Sequence, residues 1–234
     1  MTPTDRIFAA LDTTDLDRAL ALAGMLAGKV GGMKVGKEFF TAQGPQGTRR
    51  IVDLGMPLFM DLKWHDIPNT VASAVRAALP LGPRFVNVHA SGGPAMLRAA
   101  AEAAAEGGDT RPKVLGVTVL TSMDADDLRA VGVESPPAEQ VLRLARLSQD
   151  CGLDGVVCSA HEIAALRAAC GPDFVLMVPG IRPAWSATGD QKRVMTPADA
   201  IAAGADHLVI GRPITAADDP AAAADRIARE LEGL

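Results

Sequence analysis

Eight short apolar segments recur along the chain, each followed by sequence with helical periodicity. They span residues 6–12, 31–37, 57–63, 85–90, 113–120, 155–159, 174–181 and 207–212. Val, Ile, Leu, Phe and Met dominate them, without the polar alternation of a sheet exposed on one face. Such runs suit strands covered on both faces, as in a parallel sheet wrapped by helices.

The segments between carry helix punctuation. Asp219-Pro220 and Thr196-Pro197 each read as an N-cap followed by proline at the first helical position. Ser159-Ala160-His161-Glu162 has capping-box spacing. Pro94 opens a run through Glu106 that stops at Gly107-Gly108, and Gly171 and Gly204 sit where two other helices should end. The alanine-rich tracts 99–105 and 221–224 are good helix sequence.

Eight strand–helix units predict an α/β protein forming a single (β/α)8 TIM barrel over residues 1–234, slightly short of the typical length of about 250. An open doubly wound sheet is the alternative, and it usually needs fewer strands. The polar residues favour the barrel. Asp12, Lys63, His89, Thr121, Ser159 and Arg212 fall at or just past the C-terminal ends of six strands. In a barrel those ends converge on one mouth. Two stretches, 121–139 and 182–196, exceed simple connections and read as lids or binding loops.

The third apolar segment runs straight into Asp61-Leu62-Lys63-Trp64-His65-Asp66-Ile67-Pro68-Asn69-Thr70. Strand alternation points Asp61 and Lys63 to the same face. A buried charge without its partner costs about 3–5 kcal/mol, so charges here are expected to act together. Lys34, in the second strand, can join Asp61, Lys63 and Asp66 in a network of alternating sign. Opposite charges about 4 Å apart gain about 4 kcal/mol at an effective dielectric of about 20. A network of this kind offers a fixed ammonium that donates a proton, which suits protonation of a carbanion better than hydrolysis. Read locally, Asp66 also fits a turn, and Asn69 or Thr70 a cap for the helix that follows.

A phosphate site is expected at the other side of the mouth. Gly211-Arg212 ends the eighth strand, and barrels frequently hold phosphate after strands seven and eight. Arg212 supplies a bidentate donor and Gly211 allows close backbone approach. Arg182 follows the seventh strand, and Gln191 lies in the loop beyond it. Gly31-Gly32-Met33-Lys34-Val35-Gly36-Lys37 fits the start of a P-loop but continues with Glu38, lacks the magnesium-binding hydroxyl, and reads as a strand itself.

Composition narrows the classes. With 48% apolar residues the chain is globular, and a net charge of −5 leaves no footprint for nucleic acid. No apolar run reaches the length of a membrane span, and the N-terminal residues lack a signal pattern. Three cysteines without C-x-x-C spacing predict reduced thiols in a cytoplasmic protein. No histidine pair has metal-binding spacing. His161 and His207 are expected to cap or pack, His89 to line the mouth, and Cys158 to be buried.

Taken together, these motifs resemble the bacterial-type orotidine 5′-monophosphate decarboxylases. The resemblance rests on Ala10-Leu11-Asp12, Met33-Lys34-Val35-Gly36, the whole 61–70 segment, Val88-His89-Ala90, Val117–Ser122, Pro179-Gly180-Ile181-Arg182, Gln191 and Gly211-Arg212-Pro213-Ile214. It implies a homodimeric barrel, with active sites at the subunit interface, that converts orotidine 5′-monophosphate to UMP and carbon dioxide. This is the last step of de novo pyrimidine nucleotide synthesis, performed with no cofactor and no metal. By position it makes Lys63 the proton donor to carbon six of the pyrimidine and puts Asp61 beside the substrate carboxylate. Lys34 and Asp12 hold the ribose region, and Asp66 and Thr70 cross into the partner's site. Thr121 and Ser122 lie near the base. Arg212, the Gly211 amide and Gln191 grip the phosphate, with Arg182 beside them. Trp64 departs from the family's usual smaller residue, and alternation points it away from Asp61 and Lys63.

Two other classes remain. Magnesium-dependent phosphosugar decarboxylases and synthases share the Asp-x-Lys-x-x-Asp motif, but they resemble one another in carrying glutamate where this chain has Lys34, whose ammonium repels a cation. A barrel that only binds nucleotide would be signalled by loss of Lys63 or Asp61, and both are present.

Overall fold

The computed structural model of the chain describes residues 1–186 and 195–234. Its eight strands are β1 (Ile7–Ala10), β2 (Gly32–Gly36), β3 (Leu58–Trp64), β4 (Phe85–His89), β5 (Lys113–Val117), β6 (Gly155–Val157), β7 (Val175–Pro179) and β8 (His207–Ile210). They pair in parallel in chain order and close into a barrel, with β8 against β1. Closure excludes the open doubly wound sheet.

The helices are α1 (Leu16–Leu26), α2 (Lys37–Val52), α3 (Pro68–Ala78), α4 (Gly93–Ala105), α5 (Ala125–Ala130), α6 (Pro137–Asp150), α7 (Ile163–Cys170), α8 (Pro197–Ala202), α9 (Arg212–Thr215) and α10 (Pro220–Glu230). Their punctuation follows the sequence. Asp219 accepts from the Ala222 amide, Thr196 from the Asp199 amide, and Ser159 and Glu162 form a capping box.

Two expectations change. Asn69 and Thr70 do not cap α3: the helix begins at Pro68, with Ile67 as N-cap and no side-chain cap bond. Proline forces Ile67 into an extended conformation (φ −57°, ψ 152°) and itself needs no amide partner, so Asn69 and Thr70 fall inside the first turn. The 121–139 stretch is not a bare loop either. It holds α5, whose Asp124 and Asp127 form a capping box, and the start of α6.

Alternation divides the apolar residues into two sets. Phe8, Ala10, Phe59, Phe85, Leu115, Val117, Val157, Val175, Met177 and Val209 fill the barrel. Their neighbours in the chain, such as Ile7, Ala9, Met33, Val35, Met60 and Leu62, pack outward with the helices. Trp64 follows the second set, lining a cavity of about 200 Å³ with Phe40, Met60, Leu62 and Ala74. At the floor, the Phe85 ring meets Phe8 and Phe59 edge-on at 5.5 and 6.2 Å. Gly32 makes room there, since a Cβ at that position would lie 2.4 Å from the Phe8 ring. The packed floor leaves the opposite end for a site.

Candidate active site

Four charged side chains meet above the apolar fill. Lys34, from the middle of β2, reaches Asp12 Oδ1 at 3.0 Å and Asp61 Oδ2 at 3.4 Å. Lys63 Nζ lies 2.5 Å from Asp61 Oδ1. The chain of charge is therefore Asp12–Lys34–Asp61–Lys63. Side-chain exposure is 9% for Lys34 and 13% for Asp61 but 24% for Lys63 and 54% for Asp12. The network is anchored in the barrel and open at both ends, where a ligand can reach it.

Local backbone makes this packing possible. A Cβ on Gly36 would sit 2.8 Å from Lys34 Nζ, so glycine there gives the ammonium its space. On β3 the pairing with β4 slips: Met60 pairs with Val86, yet Trp64 pairs with Val88. Four residues of β3 thus span two of β4, a bulge that re-aims side chains at the mouth. Within it Lys63 adopts φ 52°, the sole positive φ outside glycine among the described residues. Such a conformation costs about 1–3 kcal/mol and persists only when its surroundings hold it.

Asn87 of β4 holds it. Its Oδ1 accepts from the Lys63 amide at 2.7 Å, and its Nδ2 donates to Asp61 Oδ1 at 2.7 Å. Sequence reasoning passed over this residue. The available signal was one amide in the otherwise apolar run Phe85-Val86-Asn87-Val88, on the inward face.

Burial pushes the Asp61 carboxyl upward, but the ammonium groups of Lys34 and Lys63 and the bonds from Lys63 and Asn87 outweigh it. Asp61 is held below the ordinary carboxylate value. His89 ends β4 with its ring centroid 5.4 Å from that of His65. Burial, with neighbouring His65, Lys37 and Lys63, brings His89 down to about 4.

Two of the residues expected at a phosphate site, Arg182 and Arg212, gather at a second place. Arg182, buried, and Arg212, exposed at the start of α9, line a cavity of about 320 Å³ with Trp185, Ser186 and Pro213. Gly211 joins the two places, since a Cβ there would lie 3.7 Å from Ala10 Cβ and 3.9 Å from Asp12 Oδ2. Trp185, in the turn after β7, is moored on α10, donating to Glu230 at 2.7 Å beneath the Arg226 guanidinium, 4.5 Å from its ring.

Other expected residues lie apart. Asp66 is exposed, accepts from the Ile67 amide at 2.6 Å, and does not enter its own chain's network; Asp12 is the fourth member instead. Thr70 is exposed on α3. Thr121 is half-buried and Ser122 exposed in the turn beyond β5. Gln191 lies outside the described residues. Among the described residues no group of three or more His, Cys, Asp or Glu side chains could hold a metal ion.

A sequence profile of the orotidine 5′-phosphate decarboxylase / HUMPS family matches residues 5–227. The chain belongs to that family. It is 58% identical over 229 residues to the orotidine 5′-phosphate decarboxylase of Paramagnetospirillum magneticum, covering 96% of this chain and 97% of the relative. With the Rhodospirillum rubrum enzyme of the same name it shares 56% over 232 residues, covering 97% and 94%. The crystal structure of orotidine 5′-phosphate decarboxylase from Lactobacillus acidophilus superposes with a TM-score of 0.84 at 38% identity, over 97% of this chain and 99% of that one. The charged network draws on β2, on β3 and on the turn after β1, at the end of the barrel opposite the aromatic floor. No helix among the described residues is long and apolar enough to cross a membrane.

Proposed function

We propose that the protein decarboxylates orotidine 5′-monophosphate to UMP and carbon dioxide, the last step of de novo pyrimidine nucleotide synthesis, without metal or cofactor. The observation that carries this reading is Asp61, with a lysine ammonium at each carboxylate oxygen. In the step itself, the bond between pyrimidine carbon six and its carboxylate breaks and leaves its electron pair on the ring carbon. The Lys63 ammonium stabilises that charge and gives it a proton, and the lysine is reprotonated from solvent. A fixed cation at the developing carbanion is the largest expected contribution. Asp61 beside the leaving carboxylate disfavours the bound substrate, and that repulsion vanishes as carbon dioxide departs.

Asp12 and Lys34 hold the ribose. Arg212, the Gly211 amide, Gln191 and Arg182 grip the phosphate, and Thr121 and Ser122 approach the base. Binding energy from the phosphate is spent at the reacting carbon. The reading includes a homodimer in which Asp66 and Thr70 enter the partner's site. Their exposure, with Ile67 66% exposed between them, supports it. A net charge of −5 and three reduced cysteines fit a cytoplasmic enzyme of a small nucleotide, with no role for nucleic acid or membrane. Metal independence is supported by the donor set, because the carboxylates of Asp12 and Asp61 already face Lys34.

The test follows the loss of orotidine 5′-monophosphate absorbance in excess EDTA. Rapid conversion to UMP is the expected result. Folded protein without conversion refutes the reading and turns attention to phosphosugars with added magnesium, then to binding without turnover.

A further inference from the structure

We infer that Asn87 is a positioning residue of the reaction: its single amide fixes both the Asp61 carboxylate and the left-handed Lys63 backbone. The inference rests on the decarboxylase reading above and deepens it. Asn87 is wholly buried in the middle of β4, and its register partner on β5 is Leu115, part of the apolar fill. An unbonded amide in such a place costs several kcal/mol, so a buried asparagine marks polar work. Here both ends of the amide are used, and both are used on the catalytic pair.

The partners fix which way the amide points. Oδ1 must face the Lys63 amide, a donor, and Nδ2 must face the Asp61 carboxylate, an acceptor. Turning the group over would set donor against donor and acceptor against acceptor. The β3 bulge leaves the Lys63 amide without an ordinary ladder partner opposite β4, and Asn87 Oδ1 takes that place. It thereby supports the φ of 52° from which the Lys63 side chain reaches Asp61.

The same amide also limits how the lysine uses Asp61. Oδ1 of Asp61 receives both Lys63 Nζ and Asn87 Nδ2, while Oδ2 faces Lys34. Asn87 is the uncharged member of this triad and is not consumed by the reaction. When Lys63 gives its proton to the substrate carbon, Asp61 keeps Asn87 and Lys34 as partners and does not follow the lysine. The carboxylate stays where the next ammonium must return.

Two variants test this. Asn87→Leu removes both bonds while keeping the number and branching of the side-chain heavy atoms. Asn87→Asp keeps an acceptor for the Lys63 amide but sets an oxygen against Asp61. For Asn87→Leu, kcat is expected to fall about 100-fold near pH 8 with KM within about 3-fold. In Asn87→Asp the paired carboxyls share a proton as the pH falls, and the protonated one donates to Asp61 in place of the amide. Its relative kcat therefore climbs between about pH 8 and about pH 6, a profile that mere packing does not produce. Carbon-13 NMR of the Asp61 carboxyl in Asn87→Leu should show it titrating higher than in the unmodified protein. That titration decides the matter independently of turnover, so an unmodified protein inert toward orotidine 5′-monophosphate sinks the functional reading and leaves Asn87 to be judged by NMR. Unchanged Asp61 titration in Asn87→Leu, or an Asn87→Asp kcat that is depressed equally at every pH, overturns the inference.

Discussion

The floor and the mouth of this barrel are built on the same strands with the same inward alternation, yet they treat polar atoms in opposite ways. At the floor, His207 packs edge-on against Phe8 and Phe85 at 5.4 and 5.1 Å, and its Nδ1 has no hydrogen-bond partner among the described residues. At the mouth, each carboxylate oxygen of Asp61 meets a cation, and Asn87 adds a third bond. A neutral orphan costs about 1–3 kcal/mol and only dents stability. An uncompensated buried charge costs more and must be cross-linked. The cross-linking that makes the mouth tolerable also fixes its lysines and carboxylate before substrate arrives. Changes at the mouth should therefore appear in turnover, and changes at the floor in stability.

Lys63→Ala is the sharpest way to break that division. On the proposed mechanism, removing the ammonium deletes both the proton source and the cation facing the carbanion, so kcat should fall by at least about 10³-fold. Urea unfolding should show no loss of stability beyond about 1 kcal/mol, because Asp61 keeps Lys34 and Asn87 as partners and the φ of 52° is as tolerable for alanine as for lysine. A folded Lys63→Ala protein with near-normal turnover contradicts the assigned role. Arg212→Ala comes next, since it removes the proposed bidentate donor to phosphate. Steady-state kinetics should show kcat/KM lower by about 10²-fold, mainly through weaker capture of the phosphorylated substrate. An unchanged kcat/KM removes Arg212 from the phosphate site.

The mouth was only partly legible in the sequence. Asp61, Lys63 and Lys34 stand out because their charges crowd together along apolar strands, which a lone snorkelling lysine or a single rim ion pair does not require, and the strand ends of a barrel converge. Asp12 appeared among the strand-end residues, but not as the partner of Lys34, because pairing across β1 and β2 depends on register (Ala10 opposite Lys34) that local pattern does not encode. Asp66 was read into the network from the local density of charge, whereas the turn before Pro68 carries it away from the network of its own chain. Asn87 was missed because its worth depends on a bulge in a different strand. The eight strands and most caps were legible, since periodicity and capping are local. The start of α3 was not, because proline overrode two good cap residues.

Gly36→Ala is a milder probe of the mouth. The backbone there is extended (φ −98°, ψ −173°) and accepts alanine, so the only conflict is with Lys34 Nζ at 2.8 Å and Asp12 Oδ1 at 3.4 Å. The ammonium is the far end of a flexible chain and will shift by a few tenths of an ångström. Misplacement of that order should lower kcat/KM about 10-fold with little change in thermal stability. If stability falls and activity per folded molecule does not, Gly36 serves the strand and not the lysine.

The floor gives the smallest effect on turnover and a distinct one on stability. Burial, reinforced by Arg84, lowers the His207 ring from 6.5 to about 4, against the opposing pull of Asp206 and a bond to the Asp5 backbone; Lys113 adds to the lowering. Above about pH 6.5 the ring is neutral in folded and unfolded chains alike, and the native state keeps its full stability. As the pH falls through that value the unfolded chain binds the proton first, and stability drains away until the folded ring also protonates near pH 4. At 1.36 kcal/mol per pKa unit the loss from this group is about 3 kcal/mol. His89, lowered to about 4 at the mouth, adds a similar slope of its own. His207→Leu removes both the orphan nitrogen and the floor's share of the titration. Urea unfolding near pH 7.5 and near pH 4.5 should then differ by about 2–3 kcal/mol less than in the unmodified protein. Turnover near pH 7.5 should stay within about 2-fold, because His207 lies at the opposite end of the strands from Lys63. Parallel stability curves for the two proteins would mean that the acid sensitivity belongs to the mouth alone.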